Sequence, residues 1–204
     1  MDKASNFVEL KETSKIWAIG SIHSNLKSFS AIKKYILNHF KNSDKLIFLG
    51  NVIGLGDESK ETLSSVIDLR LKLMSKFTLK PESIVFLRGA QEEMFSKLLQ
   101  LQLAPNPIEI LEWMFEHGVN KTLESYGFSE NEIKSLASSG TINISKWTSS
   151  LNKSIQDNPG HTEYFLNLKH AAYSHTKKIL FVNRGVDITR PLSAQNDCFW
   201  WGFQ

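Results

Sequence analysis

Cysteine is almost absent from this chain of 204 residues, and the one that occurs is Cys198. A single cysteine excludes an internal disulfide and a cysteine-based zinc cluster. Long apolar runs are missing too, because no run exceeds the length of a strand, so no membrane-spanning helix is predicted. The N-terminal residues contain no apolar signal region, and we therefore expect a cytoplasmic protein without a membrane partner.

Charge of one sign is not concentrated in any part of the sequence. The chain has 24 Lys and Arg residues against 21 Asp and Glu residues, which gives a formal net charge of +3. The basic residues are spread along the chain and form no dense stripe, so nucleic-acid binding is not predicted. A modest positive charge is compatible with an anionic ligand. The length suits one domain with a sizeable core.

What the sequence does contain is four short apolar runs that end at a glycine or an arginine–glycine turn. They cover residues 15–20, 45–50, 83–89 and 178–185. Runs of this length, rich in Ile, Leu, Val and Phe, are typical of strands buried on both faces of a parallel sheet. Helical spacing of apolar residues predicts helices over Leu26–Phe40 and about Lys60–Phe77. Such an α/β fold has its functional loops at the carboxyl ends of the strands.

The domain organisation is predicted from the same patterns. Residues 1–14 are polar and are expected to precede a single domain of residues 15–204. Within it, residues 104–170 are more polar and mostly helical in pattern, and they are interpreted as a cap over the sheet. The densely aromatic residues 199–204 are expected either to pack in the core or to form an interface.

The loops after the four runs carry the most specific signal. They read Gly-Ser-Ile-His-Ser at 20–24, Gly-Asn-Val-Ile-Gly-Leu-Gly at 50–56, Leu-Arg-Gly-Ala-Gln-Glu at 87–92 and Phe-Val-Asn-Arg-Gly at 181–185. In order, they resemble Gly-Asp-Ile-His-Gly, Gly-Asp-x-Val-Asp-Arg-Gly, Leu-Arg-Gly-Asn-His-Glu and Phe-Val-His-Ala-Gly of the calcineurin-like metallophosphoesterases. Residues 122–127 also resemble Thr-Leu-x-Ser-Tyr-Gly of the branch that holds bacterial symmetrical diadenosine tetraphosphatases and serine/threonine protein phosphatases.

This resemblance covers about residues 15–201. It implies an α/β fold in which a metallophosphoesterase-like β-sandwich is flanked by helices. The family's last block, a histidine in Gly-His-Thr, has no counterpart before Gln204, so the chain is expected to be C-terminally truncated relative to the family. In active members the blocks build a centre of two divalent metal ions that bind phosphate and hold a bridging hydroxide.

Most of the metal-binding positions implied by the resemblance hold other residues here. The first aspartate is replaced by Ser21, the bridging aspartate by Asn51, the asparagine by Ala90 and the later histidine by Asn183. Only the first histidine is retained, as His23. Neutral side chains cannot offset the repulsion between two divalent cations, and one imidazole cannot hold a pair of them. The sequence therefore predicts no bound metal and no other cofactor.

The catalytic positions implied by the resemblance are replaced as well. Gln91 stands for the general-acid histidine, and Leu55 for the phosphate-binding arginine. A glutamine cannot donate a proton to a leaving alkoxide. The sequence thus predicts a pseudo-phosphatase that works by binding, and not an enzyme.

Two alternatives stay open at this stage. The first is an active phosphoesterase, of the protein phosphatase or dinucleoside-polyphosphate hydrolase type, with a non-standard site that uses manganese or another divalent metal. Such a site would combine His23 with acids such as Glu58, Glu92 or Asp187, although acids at these places are more typical of structural roles. The second is a decayed gene product without activity, which the intact hydrophobic pattern opposes.

One new cation stands in the fourth block. Arg184 replaces a small residue of the family, and a guanidinium is suited to bidentate binding of phosphate. Arg184 and His23 are therefore the candidate anion-binding residues, and the expected ligand is a phosphorylated compound or nucleotide. A protein partner or a second copy, bound through the aromatic C-terminal segment, is also expected. The remaining histidines are interpreted as surface residues: His39, His117, His161, His170 and His175.

Overall fold

The computed structural model describes residues 6–11, 13–138, 140–195 and 197–202. Two three-stranded sheets are present in this part of the chain. The strands are β1 Phe7–Leu10, β2 Ile16–Ile19, β3 Lys45–Phe48, β4 Ile84–Phe86, β5 Ala171–Ser174 and β6 Leu180–Phe181. One sheet has the order β2-β3-β4 and is entirely parallel. The other has the order β1-β5-β6, with β1 parallel and β6 antiparallel to β5.

Helices make up most of the remaining described residues. Their bounds are α1 Leu26–His39, α2 Ser59–Phe77, α3 Ala90–Leu98, α4 Pro107–Glu116, α5 Val119–Ser125, α6 Glu130–Ser138, α7 Thr141–Gln156, α8 His161–Leu166 and α9 Cys198–Trp201. The two helices predicted between the first runs are confirmed as α1 and α2. None of the helices in the described ranges has the length and apolarity needed to cross a membrane.

The two sheets pack face to face. A single apolar cluster contains Leu10 and Ala172 of one sheet together with Ile47 and Val85 of the other. The opposite face of the parallel sheet, which includes Phe48, packs against the helices in the main core. The predicted fold class, a β-sandwich flanked by helices, is therefore confirmed. Because the strands are buried, only the loops at their ends are exposed, and the candidate site lies among the loops at the carboxyl ends.

Two details of the predicted sheet are wrong. The run at 178–185 is not a buried parallel strand, because β6 pairs antiparallel with β5 and Ile179 is 53% exposed. The segment 1–14, predicted to precede the domain, contains β1. Its residues Phe7–Leu10 pair in parallel with β5, and Leu10 is buried between the sheets. Helices α4 to α8 fill most of residues 104–170, as their pattern predicted.

His161 is the clearest exception to the surface positions predicted for the histidines. It is fully buried at the start of α8. Its Nε2 lies 2.9 Å from the Ser64 hydroxyl, and its Nδ1 lies 2.5 Å from the Tyr126 hydroxyl. Burial, with a smaller effect of Lys60, lowers the pKa of His161 to about 4. The imidazole is thus a neutral polar link between α2, α5 and α8.

This burial predicts a pH-dependent stability. The folded pKa of His161 lies below the ordinary value of 6.5, so its stabilising effect is complete above pH 6.5 and is lost as the pH falls towards 4. We expect a loss of about 3 kcal/mol in the free energy of unfolding over this range. Urea titrations at several pH values should show this slope in the wild type and in His39→Gln, which changes an exposed histidine. The same slope in His161→Gln would contradict the assignment.

Candidate functional site

The site is built from the loops that follow the strands of the parallel sheet. Because β2, β3 and β4 are parallel, the loops after them all start at their carboxyl ends. The backbone N–H groups of Ile22 and His23 both donate to the carbonyl of Asn51 at 2.9 Å. Ser24 N–H donates to the Val52 carbonyl at 2.9 Å. The first two loops are therefore joined backbone to backbone, and their positions are fixed by the sheet.

Asn51 lies at the centre of this loop floor. The backbone N–H of Gln91 donates to Asn51 Oδ1 at 3.0 Å. Since a backbone N–H can only donate, this contact fixes which end of the amide is oxygen. Asn51 Nδ2 then donates to Ser21 Oγ at 3.2 Å and, at a longer 3.5 Å, to Asn183 Oδ1. An amide N–H group is thus directed at the two neighbouring side chains.

Asn183 is oriented in the same way. Its Nδ2 donates to the Leu49 carbonyl at 2.7 Å, so its Oδ1 must face Asn51. Asn183 follows β6, and this pair of contacts ties the second sheet to the loop after β3. Side-chain hydrogen bonds therefore join Ser21, Asn51 and Asn183, which come from three separate loops.

These residues do not fit a pair of divalent metal ions. The donor set that the resemblance implies here consists of Ser21, Asn51 and Asn183, which are neutral and already bonded to one another, Ala90, which has no donor atom, and His23. Among them only the Nδ1 of His23 is buried without a partner. Within the described part of the chain, no group of three or more His, Cys, Asp or Glu side chains converges to hold a metal. One imidazole without carboxylates is too little for the charge of two cations.

Gln91, which the resemblance aligns with a general-acid histidine, has a structural contact here. Its Nε2 donates to the His117 carbonyl at 2.9 Å, which ties α3 to the end of α4. The side chain is only 6% exposed, and a side chain at Gly54 would collide with it. Gln91 is therefore enclosed and neutral. Leu55, which the resemblance aligns with a phosphate-binding arginine, is 54% exposed and packs beside Gly118.

Glu92 is a fully buried carboxylate beneath these loops, and it binds the backbone. It is 0% exposed and accepts hydrogen bonds from backbone N–H groups and from a tyrosine hydroxyl. The donors are Gly89 N at 3.0 Å, Asn51 N at 2.8 Å, Val52 N at 2.8 Å, Ile53 N at 3.4 Å and Tyr164 OH at 3.2 Å. Burial raises the pKa of Glu92, and these backbone donors oppose the rise. Glu92 is thus the junction of two loops, with its lone pairs occupied.

The other acids considered from the sequence also have structural partners or lie in solvent. Asp187 is buried and accepts from the backbone and hydroxyl of Thr189 at 2.9 and 2.6 Å, and it pairs with Arg190 at 2.9 Å. Asp57 is mostly exposed and lies 3.0 Å from Lys121. Glu58 is exposed at the start of α2. None of these acids bonds to Ser21, Asn51 or Asn183.

Left-handed backbone is concentrated in these loops. Non-glycine residues with positive φ include His23 at 49°, Ser24 at 60°, Asn51 at 53° and Leu55 at 62°. Such conformations cost roughly 1–3 kcal/mol each and cluster at functional sites, where the surrounding structure holds them in place. A branched or long residue such as leucine is unusual there. The strained backbone is therefore concentrated in the loops that form the floor.

A cleft of 520 Å³ opens beside the loop floor and is lined by aromatic rings and one cation. We call it the tryptophan cleft; its lining residues are Trp113, His117, Arg184, Gly185, Val186, Trp201 and Gly202. The Trp113 ring centroid lies 4.3 Å from that of His117 and 5.8 Å from that of Trp201. Arg88 and Arg190 form ion pairs. Arg184, in contrast, is exposed and forms none within the described residues.

The two candidate anion-binding residues differ in environment. Arg184 lines the tryptophan cleft, whereas His23 does not. Burial lowers the pKa of His23 below its ordinary value of 6.5, so its imidazole is neutral at neutral pH. The cation available to an anion at this place is therefore Arg184.

The aromatic C-terminal segment is divided between core and cleft. Phe199 and Trp200 are 1% and 5% exposed and pack with Ala171. Trp201 is half-buried and lines the cleft, while residues 203 and 204 lie outside the described part. The role of Trp113 and His117 beside Arg184 was not predicted. Trp113 lies in α4 and His117 caps that helix four residues later, a spacing that places both on one side and is the signal that could have paired them.

Comparisons with known proteins add a likeness in fold. No protein-family model matches the chain, and no curated protein matches it. A solved structure of a proposed diadenosine tetraphosphatase is similar, with a TM-score of 0.48 and 16% identity over 94% of this chain and 60% of that one. A protein serine/threonine phosphatase from Saccharomyces cerevisiae is similar, with a TM-score of 0.47 and 17% identity over 96% of this chain and 48% of that one.

Proposed function

We propose that this domain binds a phosphate-bearing ligand in the tryptophan cleft and does not hydrolyse phosphate esters. The observation that carries the proposal is that Arg184 lies in an aromatic cleft and forms no ion pair within the described residues, next to a loop floor whose side chains are neutral. Asn183, the preceding residue, belongs to the hydrogen-bonded floor with Asn51. Binding is thus supported beside the loops, while metal-dependent attack at their centre is not.

The chemistry of the cleft supports a ligand that combines an anion with a planar ring. A guanidinium forms paired, charge-assisted hydrogen bonds with phosphate oxygens. Indole rings offer faces on which a base or another aromatic ring can stack. His117 Nδ1 lies 2.7 Å from the Trp113 carbonyl and must donate to it, which leaves Nε2 for the ligand. A nucleoside monophosphate has both the anion and the planar ring.

The neutral floor supports the absence of hydrolysis. In-line attack by a metal-bound hydroxide needs ions held by carboxylates, and Ser21 and Asn51 supply no charge. Gln91 is enclosed by Gly54 and His117 and cannot protonate a leaving group. With manganese and para-nitrophenyl phosphate, we expect no turnover above the uncatalysed rate. Turnover that disappears in His23→Ala would overturn the proposal in favour of an active phosphoesterase with a non-standard metal site.

Removal of Arg184 should weaken ligand binding without unfolding the domain. We expect Arg184→Ala to raise the Kd for adenosine monophosphate at least about tenfold, because a charge-assisted hydrogen bond contributes roughly 1.5–3 kcal/mol. Isothermal titration calorimetry in low salt measures the change. Arg70→Ala removes the same charge from α2, away from the tryptophan cleft, and should leave the Kd unaltered. Equal weakening by both variants, or binding unaffected by either, would refute the assignment.

A further inference from the structure

A second cleft, of 600 Å³, lies at the opposite end of the parallel sheet. We call it the lysine cleft, defined by Lys11, Lys45, Lys80, Glu9, Glu82 and His175. Lys45 begins β3, so this cleft is at the amino end of the sheet, whereas the loop floor is at the carboxyl ends. Lys11 follows β1, and Lys80 precedes the short 3-10 turn Pro81–Ser83. Three separate elements thus bring a lysine to one cleft.

Glu9 and Glu82 line the same cleft, but within the described residues neither forms an ion pair with its lysines. Lys33 and Lys121 pair with carboxylates at 2.7 and 3.0 Å, but Lys11, Lys45 and Lys80 form no ion pair there. Lys45 is half-buried, and its Nζ donates to the Ser83 hydroxyl at 3.0 Å. Glu9 is bonded to His175 at 2.6 Å. Glu82 lines the cleft and forms no ion pair within the described residues.

From this convergence we infer that the lysine cleft is a binding site for a small polyanion of the phosphate class. Lysine ammonium groups act as point charges towards phosphate oxygens, and one ligand with several oxygens can contact lysines from different elements. The ordering of Lys45 by Ser83 prepares one of the three contacts. Glu82 opposes the anion and limits the affinity. This site is independent of the tryptophan cleft and of the proposed function there.

The test is a titration of the folded chain with pyrophosphate, followed by the imidazole NMR signals. His175 lines the lysine cleft and His117 lines the tryptophan cleft, so each ring reports on one site. We expect a saturable shift of His175 in low salt. Lys45→Gln should weaken binding about tenfold, as should Lys80→Gln, which changes an exposed side chain. Glu82→Gln should strengthen it several-fold, because it removes the opposing charge.

Matched controls separate this site from non-specific attraction. Lys146→Gln removes an exposed lysine of α7 that does not line the lysine cleft, and it should leave the affinity unchanged. No saturable His175 shift up to about 10 mM pyrophosphate would overturn the inference. So would equal weakening by Lys146→Gln and Lys45→Gln, or a shift confined to His117. Equally tight binding of citrate would reject the phosphate class.

Discussion

Glu92→Ala is expected to lower the free energy of unfolding by at least about 4 kcal/mol. The variant removes the acceptor for four backbone N–H groups and for the Tyr164 hydroxyl. Glu92 is 0% exposed, so water cannot replace it as the acceptor. Each buried donor left without a partner costs roughly 1–3 kcal/mol. Domains of this kind are stable by only roughly 5–15 kcal/mol, so the variant should be close to unfolding or unfolded.

Urea unfolding followed by circular dichroism measures this effect. Glu132→Ala, on the exposed face of α6, removes the same side chain without buried contacts and should change stability by less than about 0.5 kcal/mol. Glu92→Gln keeps the shape and one acceptor oxygen, and we expect an intermediate loss. A Glu92→Ala protein as stable as the wild type would show that the loops are held by other contacts.

Ser21→Asp/Asn51→Asp is expected to create manganese binding that the wild type lacks. The two changes put carboxylates at positions where Asn51 now donates to Ser21, and His23 is retained nearby in the first loop. Two carboxylates and an imidazole meet the ligand count for one divalent ion. We expect affinity for Mn²⁺ at least about a hundredfold above that of the wild type, since each added carboxylate contributes a factor of about ten or more.

The same variant has a second, independent consequence. Without metal, two carboxylates close together repel each other, so the metal-free double variant should be less stable than the wild type. Manganese should raise its Tm and leave the Tm of the wild type unaltered, because only the variant binds it in the folded state. Ser149→Asp/Asn152→Asp places the same charges on the exposed face of α7 and should show neither effect. A double variant that still does not bind manganese would contradict the electrostatic account.

The helices were predictable because their local pattern matches their tertiary role. The predicted Leu26–Phe40 helix is observed as Leu26–His39, with Phe29 and Ile36 buried on one face and Asn25 accepting from Ser28 N–H at its start. Apolar spacing and a capping residue are both local signals. They do not depend on which strand lies alongside.

The strand partners were not predictable in the same way. The run that contains β6 looks like the other three in its local sequence, yet it pairs antiparallel with β5. Phe7–Leu10 was missed because it is short, contains Glu9 and lies in a polar segment. Its partner, β5, comes near the other end of the chain. Pairing between distant strands is decided by tertiary contacts, which periodicity does not encode.

The candidate site was likewise predictable only in part. The positions of Ser21, Asn51 and Asn183 in one loop cluster were predicted by the blocks, and the structure joins them by hydrogen bonds. The tryptophan cleft was not predicted, because Trp201 meets Trp113 only through tertiary packing. Likewise, the sequence favours a structural role for Glu92, but its role as a junction of two loops depends on contacts across the fold.

The most direct test concerns the charge at the loop floor of the unmodified protein. Equilibrium dialysis against manganese, followed by metal analysis, counts the ions retained per chain, with the Ser21→Asp/Asn51→Asp variant as the positive control. A neutral floor of Ser21, Asn51 and Asn183 predicts that the wild type retains no stoichiometric manganese. Retention of two ions per chain by the wild type, lost in His23→Ala, would contradict the account.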